Sequence, residues 1–91
     1  MEIKRAVLVE NRYGLHARAS TRLAQLAKEF QSAILISSVE GDEEVDAKSI
    51  LAVLTLGVAK GQELTLRVVG EDAEVAMTAI VELFQRRFDE D

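Results

Sequence analysis

The sequence predicts one α+β domain in which three helices pack on one face of a four-stranded, mostly antiparallel sheet. Stretches with a period of two alternate along the chain with stretches of helical spacing, in the order β-α-β-β-α-β-α. The chain has 91 residues, of which 48% are hydrophobic, and it contains no proline. A chain of this length and hydrophobic content has enough apolar residues for one compact core and few left for a second. We therefore interpret residues 1–91 as a single domain.

The first strand and the first helix flank a polar turn. Ile3 to Val9 alternates between more and less apolar positions, which predicts a strand with one better-buried face. Residues 10–14 are polar and end in Gly14, which can adopt positive φ, so the chain is expected to turn there. From Ala17 to Phe30 the apolar residues recur at spacings of three and four, which predicts a helix that begins just after His16.

The next segment predicts a hairpin. Ser32 to Val39 is rich in aliphatic and β-branched residues, as expected for a second strand. An acidic turn that contains Gly41 follows, and a short third strand is predicted near Glu43 to Val45.

A short second helix is predicted from about Lys48 to Leu56. Asp46 is a suitable N-cap, and Gly57 is expected to end the helix in the left-handed conformation. The helix is apolar nearly all round. A surface helix of so small a domain cannot bury every side, so part of it is expected to face a partner.

The last elements are a fourth strand and a long helix. Glu63 to Val69 alternates and ends at Gly70, as a strand does. The final helix is predicted from a continuous apolar stripe that consists of Ala73, Ala76, Met77, Ile80, Phe84 and Phe88. Acidic residues in its first turn and arginines near its end suit the helix dipole. The tail at 89–91 is expected to be solvated.

Composition excludes several classes of function. The chain has no cysteine and one histidine, so it has no disulfide, thiolate nucleophile, cysteine-ligated metal or polyhistidine zinc site of its own. We expect no metal and no cofactor. The N-terminus resembles no signal peptide, and no stretch approaches the length of a membrane helix, which predicts a cytoplasmic protein without membrane insertion.

Charge is distributed unevenly. Residues 1–30 carry six Lys/Arg and three Asp/Glu, a balance of +3, whereas residues 31–91 carry five and thirteen, a balance of −8. These sum to the net charge of −5. An acidic chain is a poor general nucleic-acid ligand, because that affinity depends on clustered Lys/Arg, so no nucleic-acid partner is expected. The small basic region surrounds His16.

The start of the first helix is the best candidate for chemistry. Backbone N–H groups there have no intrahelical partner, and the dipole favours an anion. Neutral imidazole is a nucleophile toward an activated phosphoryl group, and Arg18 with the amides of Ala17 and Arg18 can hold the oxygens of a phosphorylated His16. From residue types alone, the alternative stays open that His16 is an ordinary polar residue and that Arg18 and Arg22 form a solvated face.

Two motifs add a family resemblance. The run Gly14-Leu15-His16-Ala17-Arg18 resembles the phosphorylation-site motif of the histidine-containing phosphocarrier family, HPr. The run from Lys48 to Gly57, KSILAVLTLG, resembles the second signature of that family at the expected place in the chain. The resemblance implies an open-faced β-sandwich with the element order predicted above.

The resemblance also implies a relay function. By this resemblance, Enzyme I or its nitrogen-system counterpart is expected to phosphorylate itself with phosphoenolpyruvate and to pass the group to Nδ1 of His16, which hands it to an EIIA-type acceptor. The protein is then a phosphocarrier substrate in a relay rather than an enzyme that acts on a small molecule. The chain's acidic ending and acidic hairpin resemble NPr, the variant of the nitrogen-related branch, so the sugar and nitrogen branches both stay open. A monomer is expected.

A docking surface and a regulatory residue follow from the same resemblance. The positions that match the family's partner contacts are Ala17, Arg18, Thr21, Ile50, Leu51, Leu54 and Thr55. The alternative for the three aliphatic ones is that they are core. Ser49 is either an ordinary helix cap or, by resemblance, the target of HPr kinase/phosphorylase.

One position departs from the family pattern. The family usually has proline where this chain has Ala19. Proline in a first helical turn presets φ and needs no amide partner. The alanine therefore removes rigidity rather than chemistry, and phosphotransfer is expected to survive.

Two other classes of function are alternatives for these residues. An HPr-like regulatory docking module, controlled by phosphorylation at His16, Ser49 or both, uses the same surface without a relay. An independent hydrolase with His16 as base lacks a nearby Ser or Cys nucleophile with an orienting acid.

Overall fold

The computed structural model describes residues 1–38 and 43–90. The strands are β1 (Glu2–Leu8), β2 (Ala33–Ser38), β3 (Val45–Asp46) and β4 (Glu63–Val69). The helices are α1 (Ala17–Ala27), α2 (Ile50–Leu56) and α3 (Ala73–Gln85), followed by a 3₁₀ turn at Arg87–Asp89. This confirms the predicted order. The predicted acidic turn at Gly41 and the end of the second strand at Val39 lie outside the described residues.

The four strands form one sheet in the order β1-β4-β2-β3, and every pair of neighbours is antiparallel. Leu64, Leu66 and Val68 of β4 are fully buried, whereas the residues between them are only partly covered. This alternation gives the sheet one buried face, against which the helices pack. The predicted fold class is confirmed.

On the other face of the sheet, Arg67 joins two strands and the segment before β3. Its guanidinium donates to Glu44 on one side, at 2.7 and 2.8 Å, and to Glu2 on the other, at 3.0 Å. The hydrogen bonds from Arg67 lower the pKa of Glu44. Because these groups are solvent-accessible, we expect the cluster to contribute little to the free energy of unfolding.

The predicted cap of the second helix is wrong by three residues. Ser49 is the N-cap of α2, and its Oγ accepts a hydrogen bond from the Ala52 amide at 3.2 Å. Asp46 instead accepts from the Lys48 amide at 2.9 Å and closes the turn before the helix. Gly57 ends α2 at φ 67°, as predicted.

Two helix ends also differ from the prediction. α1 ends at Ala27 rather than at Phe30, because the amides of Glu29 and Phe30 donate to carbonyls three residues back, in a tighter turn than the α-helix. The apolar stripe predicts that Phe88 belongs to the last helix. This is wrong, because α3 ends at Gln85. Phe88 reaches the core through a left-handed turn in which Arg87, Phe88 and Asp89 have φ of 56°, 56° and 60°.

Asp72 connects the start of α3 to the start of β2. Its carboxylate accepts from the Gln31 amide at 2.9 Å, from the Ser32 amide at 3.0 Å and from the Ser32 hydroxyl. These bonds favour the ionised form, and the bond from the Ser32 hydroxyl contributes most to a pKa of Asp72 below its ordinary value.

We expect this linkage to make part of the stability pH-dependent. Because the pKa of Asp72 is lower in the folded state, its contribution is fully present above the unfolded value of about 3.9 and is lost as pH falls through the folded value. Urea unfolding of the parent and of Asp72→Asn should therefore give a free-energy difference that is the same at pH 7 and pH 5 and smaller at pH 3. Glu71→Gln, at an exposed neighbour, is the control. An equal difference at pH 3 and pH 7 would refute the assignment.

Candidate functional site

The loop before α1 presents His16. Asn11 closes this loop with two hydrogen bonds. Its backbone carbonyl accepts from the Gly14 amide at 3.1 Å, and its side-chain Nδ2 donates to the Gly14 carbonyl at 2.6 Å. The Leu15 amide then donates to the Val58 carbonyl at 2.9 Å. This fixes the loop against the segment before β4 and places His16 at the N-cap of α1.

Gly14 is required at the closest point of this contact. Its φ is 62°, in the left-handed region that favours glycine. A Cβ at this position would lie 2.5 Å from the Val58 carbonyl oxygen. The glycine of the motif therefore brings the histidine loop against its neighbour.

The His16 ring faces the helix start with one nitrogen. Nδ1 accepts a hydrogen bond from the Arg18 amide at 3.2 Å, so the imidazole itself caps α1. The Arg18 amide, which is predicted to hold phosphoryl oxygens, thus has Nδ1 as its partner in the unmodified protein. The Tyr13 ring lies edge-on to the imidazole, with 5.8 Å between centroids.

The other ring nitrogen contacts a residue that sequence reasoning missed. Nε2 of His16 is joined to Oε2 of Glu90. The Glu90 side chain is only 7% exposed, and its Oε1 accepts from Nδ2 of Asn11 at 3.1 Å. The prediction of a solvated tail is therefore wrong for Glu90, although Asp89 is exposed. Asp91 lies outside the described residues.

The burial of Phe88 explains why the tail returns to the histidine. Phe88 is fully buried and packs edge-to-face on Phe84, with 4.9 Å between ring centroids. Its carbonyl accepts a hydrogen bond from Nη1 of Arg22. The sequence signal for this was Phe88 itself: a large apolar residue so close to the acidic tail indicates that the adjoining residues are packed against the protein.

Basic side chains surround the histidine. A shallow cavity of about 300 Å³ is lined by Arg12, Tyr13, His16, Arg18 and Glu90. The Arg12 guanidinium lies 5.4 Å from the centre of the Tyr13 ring. The cavity therefore combines a nucleophilic ring with two cationic groups and one carboxylate, a set suited to a bound anion.

The predicted docking residues lie on α1 and α2, which pack against each other. Leu51 is 70% exposed, and Ile50 and Leu54 are also exposed. The alternative that these three are core is wrong, because Val53 is the residue through which α2 enters the core. Ala17, Arg18 and Thr55 are exposed and Thr21 is half-buried.

Two further residues singled out in the sequence, Ser49 and Ala19, have structural roles. Ser49 caps α2, as its ordinary interpretation requires. Ala19 is fully buried in the first turn of α1 and is part of the core.

The described ranges, 1–38 and 43–90, contain no group of three or more His, Cys, Asp or Glu residues that could hold a metal ion. Within the same ranges, every helix is too short or too polar to cross a membrane.

Comparison with known proteins identifies the family. Residues 3–86 match the family model described as the PTS HPr component phosphorylation site. The chain is 42% identical over 89 residues to the phosphocarrier protein HPr of Xylella fastidiosa (strain 9a5c), covering 98% of each chain. It is 43% identical over 89 residues to the phosphocarrier protein NPr of Shewanella violacea, covering 98% of this chain and 96% of the relative.

A solved structure agrees. The crystal structure of HPr-C-His from Thermoanaerobacter tengcongensis superposes with a TM-score of 0.89 at 36% identity and covers 98% of each chain. A family match over most of the sequence, close relatives over nearly full length and the same fold lead to one conclusion: this chain belongs to the HPr family of phosphocarriers of the phosphotransferase system.

Proposed function

We propose that this protein accepts a phosphoryl group on Nδ1 of His16 from phosphorylated Enzyme I and transfers it to EIIA-type proteins. The observation that carries the proposal is the direction of the Nδ1 lone pair. It points at the Arg18 amide in the first turn of α1, where N–H groups without intrahelical partners and the dipole favour negative charge.

The same geometry accommodates the product. When Nδ1 bonds to phosphorus, its lone pair no longer accepts from the Arg18 amide. That amide and the amide of Ala17 are then available to phosphoryl oxygens, and the Arg18 guanidinium can add a charge-assisted hydrogen bond. The 3.2 Å distance between Nδ1 and the amide nitrogen is at the long end of the usual range, so the bond that must be given up is weak.

Partners are proposed to dock beside the histidine. The surface consists of Ala17, Arg18, Thr21, Ile50, Leu51, Leu54 and Thr55. An exposed aliphatic group of this kind favours a partner with an apolar surface. Covering it brings the partner over the start of α1 and excludes water from the transferred group.

The proposal is tested by incubation with phosphoenolpyruvate and the cognate Enzyme I. We expect an acid-labile, base-stable phosphate that appears on the parent protein and is absent from His16→Ala. Arg18→Ala should still be labelled but at least about tenfold more slowly, as loss of a charge-assisted hydrogen bond implies. Lys28→Ala removes an exposed cation at the far end of α1 and should retain the parent rate.

Two results would refute this assignment. One is labelling that persists in His16→Ala. The other is a parent protein that remains unlabelled by an Enzyme I shown to be active on another carrier.

The second candidate is a regulatory docking module. The observation that favours it is the place of Ser49, a half-buried cap directly before the exposed Ile50 and Leu51. A phosphate on Ser49 would add negative charge beside the docking surface. Treatment with HPr kinase/phosphorylase and ATP, followed by mass spectrometry of the parent and of Ser49→Ala, tests the modification. Movement of the His16 phosphate to an EIIA-type protein distinguishes a relay from a signal.

A cytoplasmic location and a monomeric state complete the proposal. Sedimentation of the purified protein tests the latter. Transfer assays with EIIA proteins of the sugar and nitrogen branches distinguish the two circuits, because a general carrier recognises other proteins rather than the final substrate.

A further inference from the structure

We propose that Glu90 is a positioning residue for His16: its carboxylate accepts a hydrogen bond from the Nε2–H of the imidazole, which holds the ring proton on Nε2 and keeps the Nδ1 lone pair available for the phosphoryl group. The consequence for phosphoryl transfer depends on the function proposed above. The assignment of the ring proton does not.

The hydrogen bonds of the ring fix its protonation. A backbone N–H can only donate, so Nδ1 of His16, which bonds to the Arg18 amide, must be the acceptor. A neutral imidazole that accepts at Nδ1 carries its proton on Nε2. The group that faces Nε2 is the Glu90 carboxylate, which can accept that proton's hydrogen bond. Both contacts therefore select the same tautomer.

The carboxylate is held from several directions. Asn11 is itself buried, and it donates to Oε1 of Glu90 while Oε2 faces the ring. Phe88, two residues earlier, is fully buried, and Arg22 donates to its carbonyl. Glu90 is thus part of a packed arrangement, as carboxylates that orient a histidine are in other sites.

The charges around the ring make this carboxylate important. The side chains that line the cavity with His16 are Arg12, Tyr13, Arg18 and Glu90. The two arginines suit the incoming phosphoryl group. Glu90 is the one carboxylate in this lining, and it lies on the Nε2 side of the ring, where positive charge develops as Nδ1 reacts.

The transfer step then balances without moving a proton. The Nδ1 lone pair forms the new N–P bond, while the N–P bond of the donor phosphohistidine breaks and its electron pair returns to the donor ring. The acceptor ring becomes cationic with its proton still on Nε2, and Glu90 compensates that charge. When the group moves on, the electron pair of the N–P bond returns to Nδ1 and restores the starting tautomer.

The experiment combines NMR of the histidine ring with transfer rates. In unphosphorylated, ¹⁵N-labelled parent protein at neutral pH, we expect an unprotonated Nδ1 and a protected, observable Nε2 proton. Glu90→Ala should lose that proton signal through exchange with water. Glu90→Gln offers a neutral acceptor and should retain it. The rate of phosphoryl acceptance from Enzyme I should fall about tenfold or more in Glu90→Ala and by less in Glu90→Gln.

Asp89→Asn is the matched control, because Asp89 is an exposed neighbouring acid that pairs with Arg86 at 3.1 Å. It should leave both the ring signals and the rate unchanged. Thermal unfolding of each variant shows whether the fold is retained.

A parent ring protonated on Nδ1, or a Glu90→Ala protein that keeps the parent's signal and rate, would overturn the inference. If Enzyme I fails to label the parent while the ring signals are as expected, the proposed function fails and the positioning by Glu90 stands.

Discussion

Replacing Phe88 with alanine is expected to lower the free energy of unfolding by about 3–5 kcal/mol, the range found for loss of a large aromatic side chain from a packed core. Phe88 is fully buried, and its edge-to-face contact with Phe84 would be lost as well. The chain beyond α3 has no other fully buried side chain among the residues described. Its attachment to the protein therefore depends largely on this ring.

Urea unfolding at neutral pH measures the effect. Val75→Ala is the control, because Val75 is a large apolar residue on the exposed side of α3 and its truncation should change stability by no more than about 0.5 kcal/mol. A loss below about 1 kcal/mol in Phe88→Ala would contradict the packing described here. We also expect Phe88→Ala to weaken the protection of the Nε2 proton of His16, because Glu90 follows the lost anchor.

Gly14→Ala is expected to destabilise the protein by about 2–4 kcal/mol, since it combines a left-handed backbone conformation with a steric clash. The new Cβ would lie 2.5 Å from the Val58 carbonyl oxygen and 2.9 Å from Cα of Ala59. Both are backbone atoms, which a side-chain rotation cannot move aside. The hydrogen bond from the Leu15 amide to Val58 adjoins this clash.

Gly61→Ala separates the two causes. Gly61 also has a positive φ, of 90°, but among the described residues, apart from Gly61 and its two chain neighbours, no atom lies within 4 Å of where its Cβ would be placed. It should show the backbone effect alone, about 1 kcal/mol. Equal losses at the two glycines, measured by urea unfolding, would show that the close approach at Gly14 does not matter. Because Gly14 shapes the loop that carries His16, phosphoryl acceptance should slow in Gly14→Ala as well.

Most of the fold could be predicted because its determinants are local. The alternation in β4 and the helical spacing in α1 are properties of short windows, and the left-handed Gly57 follows from the chemistry of glycine. The predicted cap of α2 is wrong because Asp46 and Ser49 are both good capping residues three positions apart. Local sequence does not decide which of them closes a turn and which begins the helix.

The part of the site that could not be predicted is non-local. His16 and Arg18 lie in one short motif, and Nδ1 could be assigned by resemblance. The partner of Nε2 lies 74 positions away in an acidic tail of the kind that is usually solvated. Its approach depends on a turn in which three consecutive non-glycine residues, 87–89, have positive φ. Such a turn has no sequence signature and exists because the burial of Phe88 outweighs its backbone cost.

The left-handed turn at residues 87–89 fixes the number of residues between Phe88 and Glu90. One residue separates Phe88, which fixes the end of the chain, from Glu90, which reaches the histidine. Because Phe88 cannot shift within a closely packed core, we expect a single-residue insertion or deletion between Phe88 and Glu90 to remove the contact of the Glu90 carboxylate with His16. The sequence of the His16 motif would be unchanged. An aromatic residue followed two positions later by an acidic residue, after the last helix, can therefore be sought in other phosphocarriers. The pattern would indicate a carboxylate that contacts the histidine ring.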